Sequence, residues 1–184
     1  MFSPTECDLL VEAGEACVSR DGAEQGGIEG LASAEELRDS SVGWIARTTS
    51  LDWAFERLEA VGDRANERWL LEVDGILEDL QYTLYDRPGA HYTWHHDGLD
   101  EGVEDRKLSL VLQLSDPADY SGADLEFLEV AVDYDDRELA EFRASSRARG
   151  AVVAFCGFEY HRVTPVESGV RRSLVAWVSG PRLR

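Results

Sequence analysis

Lysine is nearly missing from this chain: Lys107 is the sole lysine among 18 basic residues, set against 37 acidic ones. The formal net charge of -19 would repel a phosphate backbone, so nucleic acid is not an expected partner. The same field would steer neutral or cationic substrates better than anionic ones. The bias toward arginine and acid fits genomic composition and a salty habitat, and identifies no function. Cysteine is scarce too. Cys7, Cys17 and Cys156 are odd in number and lack C-x-x-C spacing, so they read as reduced structural thiols rather than a disulfide framework or zinc site. No apolar run approaches the ~20 residues of a membrane span. The opening stretch MFSPTECDLLVEAGEACV lacks the basic lead of a signal peptide. A cytoplasmic location with no membrane partner is the expectation. No internal repeat or low-complexity tract stands out, and nothing speaks to oligomeric state.

What is present suits one globular domain. The 184 residues, 43% hydrophobic, are enough to bury a real core. The first third reads helical. SPTECDLLVEAGEACVS opens with Ser3 as N-cap, Pro4 at the first helical position and Glu6 completing a capping box. Cys7, Leu10, Val11 and Cys17 form its apolar stripe, with Gly14 on the same face. SLDWAFERLEAVGDRANERW predicts a second amphipathic helix with Trp53, Leu58 and Val61 inward. A Gly-rich loop, Gly22 to Gly30, separates the two. After Trp69 the pattern turns to short β-like runs: WLLEV, DLQYTLYD, AHYTWHHD, KLSLVLQL, ADLEFLEVAV, GAVVAFC, HRVTPV and RRSLVAWV. Turn chemistry divides them at RPGA, DGLDEG, DPADYSG, CGFE and VESG. DYDDRELAEFRASSRARG breaks the rhythm as a charged loop or surface helix. The expectation is a single domain over residues 1–184, with 1–69 as helical support and 70–184 as a jelly-roll core, mainly β, the helices packed on one face.

Two strands predict their own orientation. In KLSLVLQL, alternation puts Leu108, Leu110, Leu112 and Leu114 on a packing face and Lys107, Ser109, Val111 and Gln113 on the other. In RRSLVAWV, Arg171, Ser173, Val175 and Trp177 share a face suited to a cavity.

The chain has only four histidines, yet His91, His95 and His96 crowd into six residues. Residues i and i+2 of a strand point the same way, so His95 and Asp97 face together while His96 faces away. His91 shares the face of His95 but sits about 13 Å up the strand, toward the rim. His161, heading a later strand, supplies a third ligand. Two histidines and a carboxylate form the facial triad of a non-heme Fe(II) oxygenase and leave positions open for a cosubstrate and O2. Ten residues beyond His161 comes Arg171, with Ser173 on its face. A planar bidentate cation beside a hydroxyl is what the distal carboxylate of a chelating 2-oxoglutarate requires.

The stretches LQYTLYDRPGAHYTWHHD, RKLSLVLQLSDPADYSGADLEF and RGAVVAFCGFEYHRVTPVESGVRRSLVAWVSGP resemble the 2-oxoglutarate/Fe(II)-dependent oxygenases, in their prolyl 4-hydroxylase-like branch. The likeness covers most of residues 80–182. It implies a double-stranded β-helix, iron at His95, Asp97 and His161, and a distal carboxylate held by Arg171 and Ser173. It also implies that Tyr85 contacts the cosubstrate, that Trp177 packs near it, and that Gln113 stands where some relatives carry a cofactor-binding tyrosine. Asp97 is the acid that halogenating relatives lose, so hydroxylation is the implied chemistry. The implied cofactors are Fe(II) and 2-oxoglutarate, with ascorbate supporting activity. The implied substrate is a prolyl or other amino-acid residue, a peptide or a small molecule, converted with release of succinate and CO2. Two other readings stay open: a non-catalytic, cupin-like metal or small-molecule binding protein, which predicts no 2-oxoglutarate turnover, and a nucleic-acid demethylating oxygenase, which predicts a basic groove.

Overall fold

The computed structural model describes residues 1–18, 37–128 and 135–182. Helix α1 (Pro4–Cys17) begins as its sequence dictates. Glu6 N donates to Ser3 Oγ, and the Glu6 carboxylate accepts from Ser3 N at 2.7 Å, closing the capping box. Helix α2 spans Asp52–Asn66 and helix α3 Asp136–Arg147. The last resolves the DYDDRELAEFRASSRARG segment. Asp135 caps it by accepting from Arg137 N and Glu138 N, and Glu138 reaches back to Asp135 N.

The β structure is two facing antiparallel sheets, a jelly roll. One sheet runs β1-β5-β10-β8, built from Arg38–Asp39, His91–His95, His161–Val163 and Leu125–Phe127. The other runs β2-β4-β12-β6-β9, from Ser41–Ile45, Leu80–Tyr85, Arg171–Ser179, Arg106–Gln113 and Val152–Cys156; β3 (Gly75–Ile76) pairs with the end of β12. A two-stranded ribbon joins β7 (Tyr120–Gly122) to β11 (Val166–Gly169).

The outer face of the larger sheet carries the main core. Leu108, Leu110, Leu112 and Leu114 of β6 and its continuation join Leu174, Ala176 and Val178 of β12 against Leu10 of α1 and Phe55 and Leu58 of α2. Each fully buried leucine contributes about 1.5–3 kcal/mol. Gly14 explains how closely α1 docks: a Cβ there would fall 2.2 Å from Cδ2 of the Tyr82 ring. The glycine that weakens the helix locally is what lets the helix meet the sheet.

Several local expectations are corrected. The first third is not wholly helical, since β1 and β2 lie in it and each joins a sheet. Cys17 is exposed rather than part of the buried stripe, which consists of Cys7, Leu10 and Gly14. WLLEV is no strand. Leu70 takes a positive φ of 54°, and the Asn66 side chain satisfies Leu71 instead of a ladder, accepting from its N at 2.9 Å and donating to its O at 2.8 Å. The turn-like stretches VESG and DPADYSG contain β11 and β7, which pair with each other. The Gly22–Gly30 loop and the end of the ADLEFLEVAV run lie outside the described residues. Among the described residues, no helix is long and apolar enough to cross a membrane.

Candidate active site

Between the sheets lies a cavity of about 320 Å³. Its floor is the inner face of the larger sheet, whose register sets side chains in rows. Arg171 pairs with Tyr85, Ser173 with Thr83 and Gln113, Val175 with Gln81 and Val111, and Trp177 with Ser109. Val42 and Trp44 of β2 extend two of these rows opposite Thr83 and Gln81. The facing wall is made by Tyr92 and His95 of β5, His161 and Val163 of β10, Leu125 of β8 and Arg38 of β1.

One region of the cavity gathers His95, Asp97 and His161. The two histidines are direct cross-strand partners, with ring centroids 4.1 Å apart. His95 Nε2 lies 3.6 Å from Asp97 Oδ1, and His161 Nε2 lies 3.8 Å from Asp97 Oδ2. One ligand atom from each of the three falls within 4.8 Å of the others. Both imidazoles are oriented from behind: His95 Nδ1 is 2.8 Å from Thr93 O, and His161 Nδ1 is 2.9 Å from Glu159 O. A carbonyl accepts only, so each Nδ1 carries the proton and each Nε2 lone pair is turned toward the cluster.

Asp97 lies just beyond β5, where its backbone must be fixed by other means. Asp97 N and Gly98 N both donate to Gly157 O at 2.8 Å. Gly98 is pressed so close to β6 that a Cβ would lie 2.2 Å from Arg106 O. Ser109 Oγ donates to Asp97 Oδ2 at 2.6 Å, which orients the carboxylate.

Electrostatics prepare these groups for a cation. Burial, reinforced by the charge of His161, pulls the His95 pKa down to about 4, so the ring is neutral at physiological pH. Burial alone would push the Asp97 carboxyl up. The charges of His161 and His95 and the Ser109 hydrogen bond outweigh it and hold the carboxyl below its usual value. The Trp177 indole N–H, buried without a hydrogen bond of normal geometry, adds to that effect. A neutral His95 ring and an ionised Asp97 carboxylate are donor states that suit a divalent metal.

The floor holds the other expected residues. Arg171 is 2% exposed, and its Nη2 donates to Gln113 Oε1 at 3.0 Å. Its guanidinium lies 5.4 Å from the centre of the Tyr85 ring. Among the described residues no carboxylate pairs with it. Ser173, Tyr85 and Trp177 line the cavity, and burial raises the Tyr85 phenol. Gln113 does not line it; it holds Arg171 from behind. His96 turns away, 3.8 Å from Asp100 Oδ2 and edge-on to Tyr160. His91, expected on the face of His95, is not among the lining residues; Tyr92 takes that place because the pairing of β5 with β10 shifts register between Tyr92 and His95, and His91 opens β5 opposite Asp39 with Nδ1 2.8 Å from Gly89 O.

Four of the lining residues that sequence reasoning missed are aromatic or cationic. Tyr92 stacks on His95 with centroids 3.5 Å apart. Arg106 lies 3.6 Å over the Trp177 ring, and Arg38 lies 4.8 Å from the Tyr92 ring centre. Trp44 is the fourth. The Val42–Trp44 alternation was the available signal for β2.

Facing sheets that gather two histidines and a carboxylate at a cavity form a jelly roll with a donor set that could hold one metal ion. Residues 80–179, more than half of the chain, match the family model of the 2OG-Fe(II) oxygenase superfamily. The chain belongs to that superfamily and is an oxygenase. A PKHD-type hydroxylase of Synechococcus elongatus is 28% identical over 174 residues, spanning 86% of this chain and 74% of its own length. Among solved structures, a Pseudomonas putida prolyl-4-hydroxylase superposes with a TM-score of 0.63 at 24% identity, covering 95% of this chain and 85% of that one. A Trichoplax adhaerens prolyl hydroxylase, solved with a hypoxia inducible factor oxygen degradation domain peptide fragment, gives 0.60 at 15% identity, covering 95% and 74%. These likenesses bear on the fold, which they share.

Proposed function

We propose that this chain is a hydroxylase that couples oxidation of an unactivated C–H, on a prolyl or other amino-acid residue, to conversion of 2-oxoglutarate and O2 into succinate and CO2. The observation that carries the reading is Arg171. Burying a cation without a counter-charge is costly. Such a group is retained where a ligand supplies the anion. Arg171 borders the same cavity as the His95–Asp97–His161 cluster, as a ligand with a metal-chelating keto-acid end and a distal carboxylate demands.

In this reading His95 Nε2, His161 Nε2 and one Asp97 oxygen hold Fe(II), a donor set suited to it. Bound there, Fe(II) would supply the redox chemistry that couples 2-oxoglutarate and O2 to oxidation of the C–H bond. The chain's own residues position and shield. Ser109 orients the Asp97 carboxylate, and the carbonyls of Thr93 and Glu159 keep both imidazoles in the ligating tautomer. Arg171 takes the distal carboxylate as a bidentate pair beside Ser173 and Tyr85, and Gln113 fixes its guanidinium plane. Trp177 and Tyr92 keep water off the reacting groups. The prolyl assignment draws on the relatives' names, and a fold of this kind hosts many substrates.

The test is succinate release with Fe(II), 2-oxoglutarate and ascorbate, which keeps the iron ferrous, across free amino acids and proline-containing peptides. At least one member should stimulate succinate formation. A protein that binds iron but forms no succinate under any condition would instead be a metal-binding relative without turnover.

A further inference from the structure

We infer that Arg38 forms a second anion subsite in the cavity and receives a carboxylate of the substrate, so that the substrate is a free amino acid or the C-terminal residue of a peptide. This rests on the oxygenase reading above and deepens it by naming the substrate's polar end.

Three guanidinium groups line the cavity: Arg38, Arg106 and Arg171. Arg106 is already neutralised, since Nε and Nη2 donate to the two Glu78 oxygens at 2.7 and 2.5 Å. Arg171 is accounted for by the distal carboxylate of the cosubstrate. Arg38 remains. Its Nε donates to Ser40 Oγ at 2.8 Å, and its Nη2 lies 3.5 Å from Thr83 Oγ1. Its guanidinium also lies 4.8 Å from the centre of the Tyr92 ring. All three partners are neutral, and among the described residues no carboxylate pairs with Arg38. Adjacent strand residues point to opposite faces, and Asp39 is engaged by Arg87. Two uncompensated cations in one cavity call for two anionic groups, and one 2-oxoglutarate brings only one distal carboxylate.

Placement supports a substrate role for the second anion. Arg38 lies over Tyr92, and Tyr92 stacks directly on His95. The cation is therefore one aromatic ring from the cluster. A small molecule anchored there by its carboxylate would present its nearby carbons to the reaction centre. The backbone of an internal peptide residue offers only neutral amides, which would leave the charge of Arg38 unanswered. The net charge of -19 disfavours anions only in long-range steering, which salt screens beyond about 8 Å. Within the cavity the local guanidinium governs.

The test compares acids with their amides. Succinate formation is measured for the free proteinogenic amino acids and X-Pro dipeptides, for the same compounds with amidated C-termini, and for proline peptides blocked at both ends. For the best acid, kcat/KM should exceed that of its amide by about tenfold or more. Arg38→Met should lower kcat/KM for that acid by about 10- to 100-fold, bring the acid-to-amide ratio near one, and raise substrate KM by far more than 2-oxoglutarate KM. Equal rates for acids and amides need no variant to observe and would overturn the inference. So would turnover of blocked peptides alone, a substrate-free succinate rate that no acid stimulates, or an Arg38→Met defect confined to 2-oxoglutarate KM. Absence of any succinate together with absence of bound iron would fail the oxygenase reading itself, and this inference with it.

Discussion

Replacing Arg171 with methionine tests the cosubstrate anchor at a side chain whose surroundings are well defined. Arg171 is buried, hydrogen-bonded to Gln113 and unmatched by any acid among the described residues. Truncating one partner of a buried charge pair costs about 2–5 kcal/mol. At about 1.4 kcal/mol per tenfold, that is a rise of roughly 30-fold to more than 1,000-fold in the KM for 2-oxoglutarate. Gln113→Leu removes a hydrogen bond to the charged guanidinium, worth about 1.5–3 kcal/mol, and should raise the same KM by up to about 10- to 100-fold. Arg172 is the internal control. It points to the opposite face and pairs with Glu15 at 2.9 Å, both side chains part-exposed, an interaction worth about 0–1 kcal/mol. Arg172→Ala should leave the KM unchanged. The metal-free Arg171→Met protein should melt no lower than wild type, because an unanswered buried charge is gone. The assay is initial-rate succinate formation against 2-oxoglutarate concentration. Equal effects at Arg171 and Arg172, or an unaltered KM in Arg171→Met, would refute the reasoning.

Three further outcomes follow from the same geometry. Ser109→Ala removes the hydroxyl that donates to Asp97 and should weaken iron affinity by about 10- to 100-fold, read by metal titration. Gly14→Ala forces a Cβ into the Tyr82 ring and should lower stability by about 1–3 kcal/mol in urea unfolding, with iron binding retained. The His95 pKa is about 4 in the folded chain, against 6.5 for a free imidazole. The unfolded chain therefore takes up a proton that the folded chain refuses. Metal-free protein should lose stability as pH falls from about 6.5 toward 4, and His95→Ala should remove that part of the slope in urea unfolding at stepped pH.

The site was legible where chemistry and strand period coincide. The i, i+2 spacing paired His95 with Asp97, although β5 ends at His95 and the Gly157 carbonyl, rather than strand alternation, fixes the Asp97 backbone; the alternation of β12 alone turned Arg171, Ser173 and Trp177 inward. The leucines of β6 marked the opposite face equally plainly. Other parts depend on partners distant in sequence. β1 is two residues long and exists by pairing with β5, so nothing local marks Arg38 as a cavity residue. β7 and β11 have turn composition, and each becomes a strand only against the other. WLLEV has strand composition, but Trp69, Leu71 and Val73 pack on the core from irregular backbone tied by Asn66, while Leu70 is exposed. Gly14 reads as a weak point in a helix until Tyr82 is seen beneath it. The Asp135–Glu138 capping box of α3, by contrast, is a local signal that would have decided between the loop and the helix left open for this segment.

The central claim is that His95, Asp97 and His161, and no other histidine, hold the metal. Iron content is the most direct measurement, taken on purified His95→Ala, Asp97→Ala, His161→Ala, His96→Ala and His91→Ala after anaerobic loading with Fe(II). The first three should bind little or no iron while remaining folded, and the last two should bind it as wild type does. Iron lost in His96→Ala but kept in His95→Ala would place the strand register one residue away and contradict the account.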